Sequence, residues 1–240
     1  MSKRAKRANR PNPRTDRNNP IIEISKYQRK KKVEFIPRNL NQDEFLDHLE
    51  NSGVHICFGI GPAGSGKTLA ATLIGIKMFK EGYVDKIVIS RPNIAVDDKD
   101  IGFLPGGIYQ KMAPWCRPII DIFEEYYSPR EIELLIEEGL LEICPLAFIR
   151  GRTFKNSWII IDEAQNTTMN SMFSILTRLG ERSKMVVTGD IDQSDRGKNN
   201  GLQDFLDRYT DSDMIRVVKF NDNDVERHEV VSEVIKMYRD

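Results

Sequence analysis

Eight residues between an apolar run and a helical segment constrain this chain more than any other feature. Residues 61–68 read Gly-Pro-Ala-Gly-Ser-Gly-Lys-Thr and match the phosphate-loop pattern G-x-x-x-x-G-K-[ST]. They follow residues 55–60, which have the length and apolar character of a buried strand, and they lead into residues 68–81, whose periodicity predicts a helix. In this setting glycines let backbone N–H groups face phosphates, and the helix N-terminus adds a partial positive charge. An ordinary glycine-rich turn does not require the Lys-Thr ending.

The residue types in this loop predict a site for ATP and Mg²⁺. Lys67 can reach the β and γ phosphates, and the hydroxyl of Thr68 can contact Mg²⁺, which prefers oxygen ligands. The predicted nucleotide-binding residues of the loop are Gly61, Pro62, Ala63, Gly64, Ser65, Gly66, Lys67, Thr68 and Leu69.

A second motif follows the apolar run 158–161, where Asp162 and Glu163 stand side by side. A buried strand that ends in Asp162 would bring a carboxylate beside the phosphate loop, where it can hold Mg²⁺ through water. Glu163 is suited to orient or deprotonate an attacking water, a role that small-molecule kinases do not need at this position. One of the two could instead cap the helix that follows. As a pair they favour hydrolysis.

A third apolar run, residues 184–188, ends in polar residues that could sense the γ-phosphate, and Gln193 follows shortly after it. In open parallel sheets, ligands gather at the carboxyl ends of the strands. The strand ends expected to converge on one crevice carry Gly61, Ser90, Asp162 and Thr188.

Strand-like and helix-like segments alternate from residue 33 onwards. Strands are predicted at 55–60, 86–90, 140–144, 158–161, 184–188 and 214–220, and helices at 41–51, 68–81, 118–127, 129–138, 169–179, 201–209 and 224–239. Residues 91–115, rich in Gly, Pro and Asp, are expected to form a long surface excursion. Because the strands are apolar on both faces, we expect an α/β fold with a mostly parallel sheet covered by helices on both sides.

The chain has a net charge of zero, but its charges are unevenly distributed. Residues 1–32 form a basic arm with 12 basic and 2 acidic residues, a net charge of +10, so the remaining residues carry −10. The first 20 residues have few apolar side chains, so they are expected to form a flexible arm. Its charge predicts attraction to nucleic-acid phosphates, and a solubilising or targeting tail is the alternative. We assign residues 33–240 to one ATPase domain, since 240 residues leave little room for two full cores.

Other features exclude several classes of protein. The cysteines at 57, 116 and 144 form no Cys-x-x-Cys pair, so neither a disulfide framework nor a zinc site is expected. The three histidines show no metal-ligand spacing. No apolar stretch approaches the roughly 18 residues of a membrane span, and no signal core follows the basic start. A cytoplasmic protein without a membrane partner is expected.

Several short strings, in the same order along the chain, resemble the PhoH family. They are residues 61–68, Ser-Arg-Pro at 90–92, Gly-Phe-Leu-Pro-Gly at 102–106, Pro-Leu-Ala at 145–147, Arg-Gly-Arg-Thr at 150–153, Asp-Glu-Ala-Gln-Asn-Thr-Thr at 162–168 and Thr-Gly-Asp at 188–190. The resemblance spans about residues 39–231 and implies a P-loop ATPase whose core is similar to the first RecA-like domain of superfamily 1 helicases.

By the same resemblance, three polar residues acquire expected roles. Gln42 matches the position where helicase-like relatives read adenine, although many helices simply begin with such a residue. Gln193 resembles the glutamine that links the γ-phosphate to the nucleic-acid site. Arg91 resembles a contact to single-stranded RNA or DNA, and Arg150 and Arg152 are further candidates for such contacts, with a surface ion pair as the alternative.

The comparison with helicases also implies an assembly. Those relatives supply arginines to the nucleotide from a second RecA-like domain, so a neighbouring subunit of a homo-oligomeric ring, expected to be a hexamer, is the implied donor here. The candidate donors are Arg150, Arg152, Arg178 and Arg227. The expected function is an Mg²⁺-dependent ATPase associated with RNA or DNA, in which helicase activity stays open. The alternatives are a nucleotide-binding assembly module with little turnover and a small-molecule phosphotransferase.

Overall fold

The computed structural model describes residues 32–92, 108–197, 199–226, 230 and 237, and within them strands and helices alternate along the chain. The strands are β1 (Ile56–Ile60), β2 (Lys86–Arg91), β3 (Leu141–Pro145), β4 (Ser157–Ile161), β5 (Lys184–Gly189) and β6 (Ile215–Lys219). The helices are α1 (Leu40–Glu50), α2 (Lys67–Glu81), α3 (Ile108–Glu124), α4 (Pro129–Glu137), α5 (Met169–Leu176) and α6 (Gly201–Arg208).

The strands form one sheet in the order β3-β2-β4-β5-β1-β6. Every neighbouring pair in this sheet is parallel. The predicted α/β fold with a parallel sheet is therefore confirmed. Strand β5 lies between β1 and β4, so the phosphate loop after β1 and the acidic pair after β4 lie on the same edge of the sheet, one strand apart.

Each face of the sheet carries its own apolar core, as the strand composition predicts. Along β4, Trp158 and Ile160 belong to the core that also contains Phe45 of α1 and Ile74 of α2. The intervening residues of β4, Ile159 and Ile161, belong to the opposite core, with Met172 of α5 and Leu202 of α6. Residues whose side chains alternate between two buried faces must all be apolar, which is why β4 reads as an unbroken hydrophobic run.

Local side-chain chemistry sets several helix ends. The side chain of Asn39 accepts a hydrogen bond from the backbone N–H of Gln42 and caps α1. Ser128 and Glu131 form a reciprocal capping box at the start of α4. Helix α2 ends at Glu81 and is capped by Gly82, which has a left-handed backbone with φ of 82°.

The start of α3 is where the sequence prediction was wrong. The Gly, Pro and Asp content of residues 91–115 suggested a surface excursion. Residues 93–107 lie outside the described residues, but the helix begins at Ile108 and contains Pro114 and Pro118. Both prolines lie on its exposed side, where water can satisfy the carbonyls that lose a partner, while Met112, Cys116 and Phe123 are buried. The burial of this apolar face outweighs the local cost of two prolines.

The remaining predictions concern the two ends of the chain, the cysteines and membrane crossing. The arm up to residue 31 and most of the helix predicted at 224–239 lie outside the described residues. The three cysteines are free and buried. Among the described helices, none combines the length and apolar character that a membrane crossing demands.

Candidate functional site

The phosphate loop follows β1 in a conformation that requires glycine. Gly61 has a φ of 145°, and a Cβ atom there would lie 2.4 Å from the backbone oxygen of Phe220, just beyond β6. Gly66 has a φ of 84° and precedes the first turn of α2. The close approach of neighbouring backbone and the left-handed turn explain why the loop is glycine-rich.

Lys67 lies inside this loop and is only 7% exposed. Its Nζ atom donates to the carbonyl oxygens of Gly61, at 2.8 Å, and Pro62, at 2.7 Å, and to the hydroxyl of Ser65, at 2.9 Å. These oxygens surround the ammonium group and keep it within the loop. A phosphate oxygen could replace one of them without moving the lysine out of the site.

Asp162, at the end of β4, joins the acidic motif to the phosphate loop. Its Oδ1 atom accepts hydrogen bonds from the hydroxyls of Thr68, at 2.9 Å, and Thr188, at 2.6 Å. The donor set of a hydroxyl and a carboxylate in direct contact fits Mg²⁺, which takes oxygen ligands and retains several waters. The structure thus brings together both predicted metal ligands, Thr68 and Asp162, and gives Thr188 a role in orienting the carboxylate.

Glu163 follows Asp162 and has an uncommon backbone, with a φ of 56°. A left-handed conformation at a residue other than glycine costs roughly 1 to 3 kcal/mol and persists where the surroundings hold it. Here Arg91 Nη2 donates to Glu163 Oε1 at 2.7 Å, and Gln165 Nε2 donates to Glu163 Oε2. The contact with Arg91 is an intrachain ion pair, the alternative that the sequence left open for this arginine.

Gln165 connects the acidic motif to the end of β5. Its Oε1 atom accepts a hydrogen bond from the backbone N–H of Asp190, at 3.0 Å, and Asp190 Oδ2 accepts from Gln193 Nε2, at 2.8 Å. Glu163 and Gln193, predicted separately, are therefore linked through Gln165, to which the sequence analysis gave no role, and Asp190, one of the polar residues expected to sense the γ-phosphate. The signal for them was the presence of polar residues immediately after two apolar strands.

These elements enclose a cavity of about 300 Å³ at the carboxyl edge of the sheet. Its lining includes most of the phosphate loop together with Asp162, Glu163 and Gln193, and Pro118 and Ile122 of α3 form another part of its wall. Asp162 N donates to Ser90 O and Gly61 N donates to Gly189 O, both at 3.0 Å. The strand ends are therefore neighbours, but of the four residues expected at the crevice only Asp162 lines the cavity.

Gln42 lies behind the loop and is 4% exposed. Its Nε2 atom donates to Ser65 O at 3.1 Å, and its Oε1 atom accepts from the backbone N–H of Arg38 at 2.9 Å. The amide thus braces the phosphate loop against the segment before α1. Its role in reading adenine stays a prediction.

Arg150, Arg152 and Arg178 are not among the residues that line the cavity. Arg150 donates to Ser171 at 2.8 Å, and Arg178 donates to the backbone of Ser174 and to Thr177. Arg152 binds Glu142 through two guanidinium nitrogens. Arg227 lies outside the described residues. Their roles in nucleic-acid contact or in a neighbouring active site stay predictions.

Glu142 of β3 carries the clearest electrostatic signature of an ion pair. The hydrogen bond from Arg152 lowers the pKa of Glu142 from 4.5 to about 2, and Lys86 also lowers it, while burial acts in the opposite direction. The guanidinium of Arg152 also lies over the ring of Phe154, 4.6 Å from its centroid. Arg152 therefore joins β3 to the segment before β4.

Comparisons with known proteins give one consistent relationship. Residues 34–239 match the family model described as PhoH-like protein. The chain is 40% identical over 204 residues to a PhoH-like protein of Mycobacterium tuberculosis, covering 84% of this chain and 57% of that protein. It is 37% identical over 218 residues to a PhoH-like protein of Bacillus subtilis, covering 90% and 67%, and 37% identical over 207 residues to protein PhoH of Escherichia coli, covering 85% and 58%. The chain thus spans a little over half to two thirds of the length of these relatives.

Solved structures with partial similarity come from helicases and related ATPases. The Pif1 helicase of Candida albicans aligns with a TM-score of 0.40 and 16% identity, over 85% of this chain and 43% of that one. The SWI2/SNF2 ATPase core of Sulfolobus solfataricus, solved with double-stranded DNA, aligns with a TM-score of 0.41 and 17% identity, over 67% and 34%.

Proposed function

The chain belongs to the PhoH-like protein family, and from this premise we propose that it is an Mg²⁺-dependent ATPase that works with single-stranded RNA or DNA. The observation that carries the proposal is the contact between Thr68 of the phosphate loop and Asp162 of the acidic motif. It joins a phosphate-binding loop to a carboxylate with the ligand chemistry of Mg²⁺.

The chain's own residues divide the work at the site. Mg²⁺ supplies charge neutralisation on the nucleotide phosphates when it is bound. Thr68 and Asp162 would hold it, and Thr188 orients the carboxylate of Asp162. Lys67 exchanges a loop carbonyl for a phosphate oxygen, and the backbone N–H groups of the loop face the remaining phosphate charge.

Glu163 supports hydrolysis rather than phosphoryl transfer to a small molecule. It lies on the cavity wall beside Asp162, where a water could approach the terminal phosphate. Gln193, on the same wall and linked to Glu163 through Gln165 and Asp190, is suited to report the presence of that phosphate. An assembly module that binds nucleotide with little turnover is the second candidate, since the resting carboxylate of Glu163 is engaged by Arg91.

The nucleic-acid part of the proposal rests on charge. Residues 1–32 carry a net +10, and each phosphate that such an arm neutralises releases counterions and strengthens binding at low salt. We assign residues 33–240 to the ATPase domain. The compartment we propose is the cytoplasm, where the three buried thiols would stay reduced.

We also propose a ring of subunits, most simply a hexamer, that completes each site with an arginine in trans. A transition state with charge on the terminal phosphate is commonly stabilised by an arginine, which contributes about 10³- to 10⁵-fold in rate. Among the described residues that line the cavity, Lys67 is the only lysine or arginine. Arg91 forms an ion pair with Glu163. Sedimentation velocity with and without ATP tests the assembly, for which a monomer under both conditions is the contrary result.

The experiment that tests the function is a steady-state assay of ATP hydrolysis with Mg²⁺, with and without single-stranded RNA or DNA. We expect hydrolysis that a strand stimulates, and none in the Lys67→Ala variant. Hydrolysis without stimulation would leave an ATPase detached from nucleic acid. Nucleotide binding without hydrolysis under any condition would favour the assembly module.

A further inference from the structure

Both carboxylate oxygens of Glu163 are engaged by side chains of the same chain. Arg91 Nη2 donates to Oε1 at 2.7 Å, and Gln165 Nε2 donates to Oε2. A general base needs an acceptor site directed at the proton that it removes. A carboxylate that takes up a proton loses the charge that strengthens such a hydrogen bond, and one that turns toward a water breaks it. The resting arrangement therefore opposes the role that Glu163 has in hydrolysis.

Arg91 is fixed at a second point. It ends β2, the strand beside β4, and its Nη1 atom donates to the backbone oxygen of Trp115 in α3. The planar guanidinium thus bridges α3 and Glu163, and the two contacts together determine the direction of its fork. Because Pro118 and Ile122 of the same helix line the cavity, the bridge also connects the cavity wall to Glu163.

The backbone of Glu163 adds a second, independent indication that this residue is held. Its φ of 56° lies in the left-handed region, which residues other than glycine seldom occupy without support. The side-chain contacts to Arg91 and Gln165 supply such support at both oxygens. The side chain of Arg91 is 25% exposed, so its guanidinium remains within reach of a ligand from solvent.

We propose that Arg91 restrains Glu163 in the resting protein and limits basal ATP hydrolysis until a phosphate of a bound nucleic-acid strand draws the guanidinium away. This inference rests on the proposed ATPase function. A strand phosphate can accept two charge-assisted hydrogen bonds from the guanidinium, whereas Glu163 accepts one from Arg91. The exchange frees the carboxylate and so couples occupation of the strand site to turnover.

The restraint predicts an increase in activity on mutation, which an orienting role for Arg91 does not. In Arg91→Ala, the basal kcat should rise on the order of tenfold, within the range of typical coupling between two sites. The KM for ATP should stay near the wild-type value, and stimulation by a single-stranded oligonucleotide should disappear. Arg91→Lys should be intermediate, because one ammonium group keeps the charge but loses the planar fork that serves Glu163 and Trp115 together.

Three controls make the result specific. Arg117→Ala removes an exposed arginine of α3 that pairs with Asp121 and Glu124, and it should leave basal kcat unchanged. The double variant Arg91→Ala/Glu163→Gln should be inactive, which shows that the added turnover passes through Glu163. Thermal unfolding of each variant shows whether the domain is intact.

The outcomes separate this inference from the proposed function. A wild-type protein that hydrolyses ATP, with folded Arg91→Ala and Arg91→Lys variants at or below its basal kcat, overturns the restraint and leaves the function standing. Hydrolysis by Arg91→Ala alone, with the wild type at the level of Lys67→Ala, supports the restraint. No hydrolysis by any of these proteins, with or without RNA or DNA, overturns both.

Discussion

The hydroxyl of Thr68, at the start of α2, donates a 2.9 Å hydrogen bond to Asp162 Oδ1, at the end of β4, across 94 positions of the chain. Strand β5, which lies between β1 and β4 in the sheet, contributes Thr188, whose hydroxyl donates to the same oxygen atom. The parallel sheet therefore positions three chain segments around one carboxylate oxygen. The order of the strands therefore determines which side chains meet as metal ligands in the proposed ATPase.

Thr188→Val should weaken the use of Mg²⁺ while preserving the shape of the residue. Thr188 orients the carboxylate of Asp162 without being a predicted ligand, and removal of such an outer hydrogen bond typically costs about 10- to 100-fold in metal affinity or activity. The Mg²⁺ concentration for half-maximal ATP hydrolysis should rise accordingly. Thr72→Val, which removes a buried hydroxyl bonded to the Thr68 carbonyl, should not shift the Mg²⁺ dependence. An equal shift in both variants would contradict the role of Thr188.

Arg152→Ala should reduce stability at neutral pH more than in acid. The pKa of Glu142 is lowered to about 2 in the folded protein, so its ion pair stabilises the fold above about pH 4.5, and that contribution is lost as the pH falls toward 2. Arg152 is 40% exposed, and solvent screening leaves an effect on the order of 1 kcal/mol. The difference in Tm between wild type and variant, measured by thermal unfolding, should be smaller at pH 3 than at pH 7. The exposed pair of Arg130 and Glu133 provides the control Arg130→Ala, and a gap that stays constant with pH would count against this account.

Gln42→Glu should lower the preference for ATP over GTP if the side chain reads adenine. The change keeps an acceptor for the backbone N–H of Arg38 and removes the amide donor that now bonds Ser65 O. Competition binding of ATP and GTP measures the preference directly. Asn41→Ala, which removes a hydrogen bond to Asp224, is the neighbouring control. An equal loss of affinity for both nucleotides would indicate that Gln42 only braces the loop and does not read adenine.

Deletion of residues 1–32 should weaken binding of single-stranded nucleic acid and flatten its salt dependence while basal ATP hydrolysis is retained. For single strands, the slope of log K against log salt becomes shallower by about 0.7 for each phosphate that the protein no longer neutralises. Binding measured across a range of salt concentrations gives the slope. A full-length variant with residues 29–32 changed from Arg-Lys-Lys-Lys to Gln should show part of the effect. An unchanged slope in both would indicate a solubilising or targeting tail.

The sequence predicted the fold class and all six described strands because local patterns determine them. The apolar run before Asp162 is buried on both faces in β4, and this burial is what its composition indicated. The prediction failed at the start of α3, where the Gly, Pro and Asp content of residues 91–115 suggested a surface excursion although the helix already contains Pro114. Whether a proline is tolerated in a helix depends on which side of that helix faces the core, and this is a tertiary property.

The candidate site was predictable to the level of motifs but not of side-chain partners. Lys67, Thr68 and Asp162 could be chosen from the sequence because their residue types and spacing carry the chemistry. The ion pair of Arg91 with Glu163 joins residues 72 positions apart, and the bond of Gln165 to the backbone of Asp190 joins residues 25 apart. Both depend on which strands are neighbours in the sheet, information that no local pattern contains.

The central claim, that this site binds and hydrolyses ATP with separate groups for each task, is tested most directly by paired measurements on Lys67→Ala and Glu163→Gln. ATP affinity and steady-state hydrolysis with Mg²⁺ are measured for both variants and the wild type. We predict that Lys67→Ala loses hydrolysis and binds ATP more weakly, because it lacks the ammonium group proposed to bind the phosphates, whereas Glu163→Gln keeps its affinity and loses turnover. An equal loss of binding in both variants, or turnover retained by Glu163→Gln, would contradict the account.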